Sequence, residues 1–182
     1  MSNRRNVSLL LLVNFLNVFG WALLTPLYAL YATTLGASPQ AITFSWAFYT
    51  LLAGLLTIVF GFMEDHIAKK PGLLTIGYFL QTSGLVILFF AEDVTLLMAG
   101  LGVYAIGVGI IMPIWKLLYA RSEQKGKEAT EWGLFHGCNT LFISAAAAIS
   151  GVILTFAGFK GIIGLMIAAH FLAMLFASRL KK

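Results

Sequence analysis

The stretch "GFMEDHIAKKPG", residues 61–72, crowds Glu64, Asp65, His66, Lys69 and Lys70 between two long apolar runs. One run, about 40–63, precedes it, and another, about 72–91, follows it. The hydrocarbon core of a bilayer takes roughly 20 apolar residues per helix. The charged stretch therefore reads as a short polar turn between two membrane-crossing helices, and that reading decides the fold class.

The rest of the chain agrees. It has 182 residues, 60% of them apolar and 10% charged, whereas a soluble domain carries roughly 25% charged residues. Such a chain cannot cover its own surface with polar side chains. Six apolar runs stand out, at about 7–31, 40–63, 72–91, 95–119, 132–157 and 161–178. The expectation is an all-α membrane protein forming one six-helix domain over residues 1–182. Pro39 and Pro71 sit at helix starts, where a missing N–H costs nothing. Only "ARSEQKGKEATE", residues 120–131, is a hydrophilic loop of any length. The first run is too long for a signal peptide and lacks a small-residue cleavage site, so it reads as a retained helix. The single cysteine, Cys138, excludes an internal disulfide and a cysteine-only metal site.

The net charge of +5 is a topology signal. Arg4, Arg5, Lys69, Lys70, Lys116, Arg121, Lys125, Lys127, Arg179, Lys181 and Lys182 fall on one side of the membrane, and Lys160 alone on the other. The positive-inside bias then puts both termini in the cytoplasm, here of an inner cell membrane. The partner of this charge is the bilayer surface, not nucleic acid.

A weak internal repeat appears in the first and fourth runs. "GWALLTPLY" (Gly20 to Tyr28) and "GVGIIMPIW" (Gly107 to Trp115) both read glycine, five residues, proline, an aliphatic, then an aromatic. These runs cross in opposite senses, as a 3+3 inverted repeat requires, a device of transporters. Pro26 and Pro113 are the only prolines inside the runs, and each is expected to bend its helix.

Polar groups in hydrocarbon face protein or water. Asn14, Asn17, Trp21, Thr25 and Tyr28 share one helical stripe. Tyr104, Val108, Ile111 and Trp115 form a second, and Trp132, His136, Asn139 and Ile143 a third. Two readings stand for the asparagines: glue between helices, or the wall of a substrate cavity. Lys116 either snorkels to the interface or meets an anionic substrate. His170 and Gln81 read as side chains bonded to neighbouring helices. All seven acids lie at helix ends or in loops, so no carboxylate sits in the core to carry a proton or a cation. An aromatic, amide-lined cavity suits a neutral or amphipathic small molecule. No catalytic constellation, cofactor motif or shared metal site appears; His66, His136 and His170 lie at different depths. The chain does not read as an enzyme.

The opening stretch also resembles motif A of the major facilitator superfamily, Gly-x-x-x-Asp-Arg-x-Gly-Arg-Lys between helices 2 and 3. Gly61, Asp65, Lys69 and Lys70 match; His66 and Ala68 replace an arginine and a glycine. Gly20, Pro26, Tyr31, "LGAS" (Leu35 to Ser38) and Ile42 also sit where that family tends to have them. Val103 stands where its helix-4 motif carries arginine, and "AAISGV" (Ala147 to Val152) lacks the proline of its helix-5 motif, which argues against proton-coupled antiport. The resemblance implies a membrane transporter working by alternating access. Members have twelve helices in two related halves, and this chain supplies six. It implies a parallel homodimer, with a second copy of the chain completing the cavity. The alternatives are a non-transporting assembly or regulatory subunit and an isolated N-terminal half. It further implies that Asp65, held by Arg121, latches onto the start of a helix in the other half.

Overall fold

The computed structural model describes residues 4–64 and 70–180, all of whose regular structure is helical. Helix α1 (Arg4–Leu24) passes through one 3₁₀ turn (Thr25–Leu27) into α2 (Tyr28–Thr34). The others are α3 (Pro39–Glu64), α4 (Lys70–Phe89), α5 (Val94–Ala120) and α6 (Glu128–Ala177). Five of the continuous helical stretches are long and apolar enough to cross a membrane, the first being Asn6–Thr34. Large apolar side chains point outward, including Phe62, Leu141 and Phe156, at 74%, 71% and 85% exposure. In water such a surface would drive aggregation; against lipid it is the matching solvent.

The helix ends follow local chemistry. Pro26 has no N–H to donate, and the 3₁₀ turn falls on it: the Tyr28 N–H bonds the Thr25 carbonyl. Thr25 Oγ1 also donates to the Trp21 carbonyl at 3.0 Å, one turn before the break. Pro113, by contrast, lies within the continuous α5. Helix α2 stops at Gly36, whose φ of 77° is left-handed, with the Ala37 N–H returning to the Ala32 carbonyl at 3.1 Å. Two residues later Ser38 Oγ accepts from the Ala41 N–H at 3.2 Å and Pro39 opens α3. Asp93 caps α5 by accepting the Leu96 N–H at 2.8 Å.

Helix α6 is 50 residues long, about 75 Å if straight and more than twice a roughly 30 Å hydrocarbon core. Gly158 breaks it, with φ 63° and ψ −168°, a conformation open in practice only to glycine. The arm before the break starts beside the first half of α1: Asn139 bonds Asn14, and Phe142 stacks on Phe15 at 4.8 Å. At the break Phe159 meets Tyr31 at 5.2 Å. The arm after it returns along α1, with His170 against Gly20 and Ala173 and Ala177 in one apolar cluster with Leu10 and Val13. Gly158 thus lies in the interval, 157 to 161, between two of the apolar runs.

Helices α4 and α5 pack backbone to backbone. A Cβ on Gly84 would stand 2.7 Å from the Gly100 carbonyl and the Tyr104 nitrogen, and one on Gly107 would stand 2.5 Å from the Gly77 carbonyl. Small residues permit this approach, and without a hydrophobic drive in lipid, close contact is what joins helices. Buried polar groups add ties over long sequence distance. Tyr31 donates to the Leu88 carbonyl at 2.6 Å, and Trp115 Nε1 donates to the Leu10 carbonyl at 3.0 Å.

Candidate functional site

The packing of α1, α5 and the 128–157 arm leaves a cavity of about 820 Å³. Helix α1 lines it with Asn14, Asn17, Val18, Trp21, Ala22 and Thr25, a stripe repeating every three or four residues, followed by Pro26. Helix α5 contributes Tyr104, Val108, Ile111, Met112, Trp115 and Lys116. The α6 arm contributes Trp132, Phe135, His136, Asn139, Ile143 and Ala147. Tyr49 of α3 and Gln81 of α4 complete the wall.

The wall has two aromatic clusters. In one, Trp21 stacks on Tyr104 with centroids 4.5 Å apart and meets Tyr49 at 5.1 Å. In the other, Trp115 stacks on Phe135 at 4.7 Å and on Tyr119 at 5.1 Å, while Trp132 lies 5.7 Å from His136. Aromatic pairs in such geometries contribute about 0.5–1.5 kcal/mol each beyond the area they bury. Polar side chains lie in the same wall. Asn14 Nδ2 donates to Asn139 Oδ1 at 2.9 Å across α1 and α6. The Oδ1 of Asn17 and the Oε1 of Gln81 are buried with no hydrogen-bond partner among the described residues.

Twelve of the thirteen residues of the sequence stripes meet in this wall: Asn14, Asn17, Trp21, Thr25, Tyr104, Val108, Ile111, Trp115, Trp132, His136, Asn139 and Ile143. Tyr28 is placed elsewhere, with its hydroxyl 2.6 Å from Ser45 Oγ. The proline that follows the stripe changes the helical phase before Tyr28, so its side chain meets α3 instead. Tyr49, Gln81, Met112 and Phe135 are wall residues that the stripes did not include. Phe135 sits one turn before Asn139 and was within reach of periodicity. Tyr49 and Gln81 come from helices whose own patterns gave no such signal. Both Asn14 and Asn139 combine the two readings open for the asparagines, bridging helices within a cavity wall.

His170 ties the second α6 arm to the core. Its Nδ1 lies 2.8 Å from the Met166 carbonyl and its Nε2 3.0 Å from the Tyr104 hydroxyl. A carbonyl only accepts, so Nδ1 carries the proton and Tyr104 donates to Nε2. The ring rests on Gly20, where a Cβ would stand 2.7 Å from it.

Of the charged stretch, Gly61 closes on α5, a Cβ there standing 4.0 Å from Pro113 Cβ. Asp65, His66 and Lys69 lie outside the described residues, and Lys70 opens α4. Arg121 caps the end of α5 and is exposed.

An all-helical bundle with lipid-facing apolar surfaces and an aromatic cavity between its helices defines a multi-pass membrane protein built around a binding space. The family is then specific: the model of the Major Facilitator Superfamily matches residues 10–182, and the chain belongs to that family of membrane transporters. A comparison with curated proteins gives no match.

Proposed function

We propose that the chain is one half of a transporter, crossing the inner membrane six times with both termini in the cytoplasm, and that two parallel copies enclose the substrate and move it by alternating access. The observation that carries this reading is the incomplete wall. Thr25, Pro26, Met112, His136 and Ile143 all line the cavity and remain exposed, and Leu134 and Leu141 of the same α6 arm stand outward at 64% and 71%. A second copy with the same orientation supplies the missing wall through a self-complementary face. The return of the chain at Gly158 supports a fifth and sixth crossing within α6.

The substrate is a neutral or amphipathic small molecule. The cavity lies within the roughly 300–1,000 Å³ range of small-molecule sites, and no acid lines it among the described residues. Transport is uncoupled from protons for the same reason. Pro26 and Pro113 sit in the two cavity-lining helices α1 and α5 and serve as the bending points of the gates. Asp65 latches the cytoplasmic side against the start of α6 in the second copy, near Thr130 to Gly133, where a helix start carries roughly half a positive charge.

The test is native mass spectrometry of the protein from lipid nanodiscs, joined to efflux from proteoliposomes with the pH gradient present and collapsed. A dimer that transports in both conditions is expected. A monomeric mass overturns the two-copy cavity, and strict dependence on the gradient overturns uncoupled transport.

A further inference from the structure

Lys116 is the one Lys, Arg, Asp or Glu that lines the cavity among the described residues. It follows Val108 and Met112 at intervals of four on α5, so the three share one helix face. Helices α3 and α4 pack on other faces of α5, and this one stays open, with Met112 and Lys116 both exposed. Neighbouring contacts set its level in the bundle. Trp115 stacks on Phe135 at 4.7 Å, which puts this part of α5 level with the start of the α6 arm, where His136 also lines the cavity and is exposed. One turn along that arm, Asn139 accepts from Asn14 through Oδ1, which leaves its Nδ2 group as a donor in the same wall. An ammonium, an imidazole N–H and an amide N–H therefore belong to one end of the cavity. Acids of the adjoining loop are used locally: Glu128 accepts from the Gly126 N–H at 2.9 Å and Glu131 from the Gln124 N–H at 3.3 Å. Further in, the wall turns largely apolar, with Val18, Ala22, Val108, Met112, Ile143 and Ala147.

We infer that the cavity takes small amphipathic carboxylates, the head group held by Lys116 with His136 and Asn139 and the apolar body lying along the inner wall. This rests on the transporter reading for the cavity's role and narrows its substrate to one class. An ionised carboxylate only accepts, and its two oxygens have room for all three donors. Bonds between ionised partners are roughly twice as strong as neutral ones. A cation meets a like charge at Lys116 and no acid in the lining among the described residues. A neutral molecule of the same shape keeps the apolar contact and loses the charge-assisted bond. A lysine that only snorkelled to the membrane surface would not discriminate between the two.

The probes are radiolabelled octanoate and octanamide at neutral pH, which share chain and shape and differ in charge. Binding is measured by equilibrium dialysis against protein in nanodiscs of zwitterionic lipid, with empty nanodiscs subtracted for partition into lipid. The wild type is expected to prefer octanoate by about 10-fold, the low end for a hydrogen bond to a charged group because Lys116 also meets water. Lys116→Met keeps an apolar stem and removes the charge, so the preference should vanish while octanamide binding persists. Lys116→Arg should keep the preference. Lys125→Met removes the same charge from the exposed loop, outside the cavity lining, and should keep it too. Equal affinities in the wild type, an intact preference in Lys116→Met, an equal loss in Lys125→Met, or no octanoate binding above empty nanodiscs overturns the inference. Native mass and efflux report separately on the two-copy transporter, so a transporting dimer that fails these tests sinks the ligand class alone.

Discussion

The Tyr104 hydroxyl lies 3.0 Å from His170 Nε2, and the two residues are 66 positions apart. Tyr104 lines the cavity and His170 is wholly buried behind it. One hydrogen bond therefore joins the cavity wall on α5 to the returning arm of α6, with the Gly20 backbone of α1 against the imidazole.

Replacing Tyr104 by phenylalanine keeps the ring stacked on Trp21 and strands the His170 acceptor. An unsatisfied buried polar group costs about 1–3 kcal/mol. Tyr104→Phe is expected to lower the unfolding free energy by that order, read by denaturant titration in mild detergent. The double change Tyr104→Phe, His170→Leu should recover part of the loss. An unaltered single variant would show that the bond carries no net stability.

The contact between α4 and α5 leaves no room for a methyl group at Gly84, where backbone atoms stand on the other side. Gly84→Ala should force the two helices apart and cost about 1–3 kcal/mol. Gly133→Ala, with nothing within 4 Å of its Cβ position, is the control and should be close to neutral. Equal unfolding midpoints for both variants would contradict the packing.

Gly158 should resist substitution for a different reason. Space is open around it, but its φ of 63° with ψ of −168° strains any L side chain. Gly158→Ala is expected to cost about 1–3 kcal/mol and to broaden the turn between the α6 arms. Gly137→Ala, also unobstructed but helical, should not. A crosslink between cysteines placed in the two arms would form less efficiently in Gly158→Ala.

The wall assignment is testable by thiol labelling. In a Cys138→Ser background, Asn17→Cys should react with a small water-soluble maleimide in membranes. Leu12→Cys, on an exposed lipid-facing part of the same helix, should not. Equal labelling of both would remove the aqueous character of the cavity.

Asp65→Asn tests the proposed latch. Neutralising the carboxylate removes an interaction worth about 1–2 kcal/mol, which moves a two-state balance by roughly 5–30-fold. The variant should insert normally and show greater labelling of Asn17→Cys from the cytoplasmic side. Labelling identical to that of the parent would leave the charged stretch as a topology signal alone.

Much of this architecture was carried by composition and period. Apolar runs of bilayer length dictate helices because an unpaired peptide group in hydrocarbon is too costly to leave. Gly36, Pro39 and Asp93 end or begin helices through local bonds within a few residues, so they too are properties of the chain itself. Helical spacing likewise put Asn14, Asn17, Trp21 and Thr25 on one face. Spacing says which residues share a face and nothing of what that face meets. Only the packed structure set Gln81 against Gly107, brought Tyr49 to Trp21, paired Asn14 with Asn139 and drew Tyr28 to Ser45. The physical reason is that the rotation of each helix about its axis is set by contacts between partners distant in sequence. A glycine on α5 decides where an α4 side chain goes, and no window along either helix contains both.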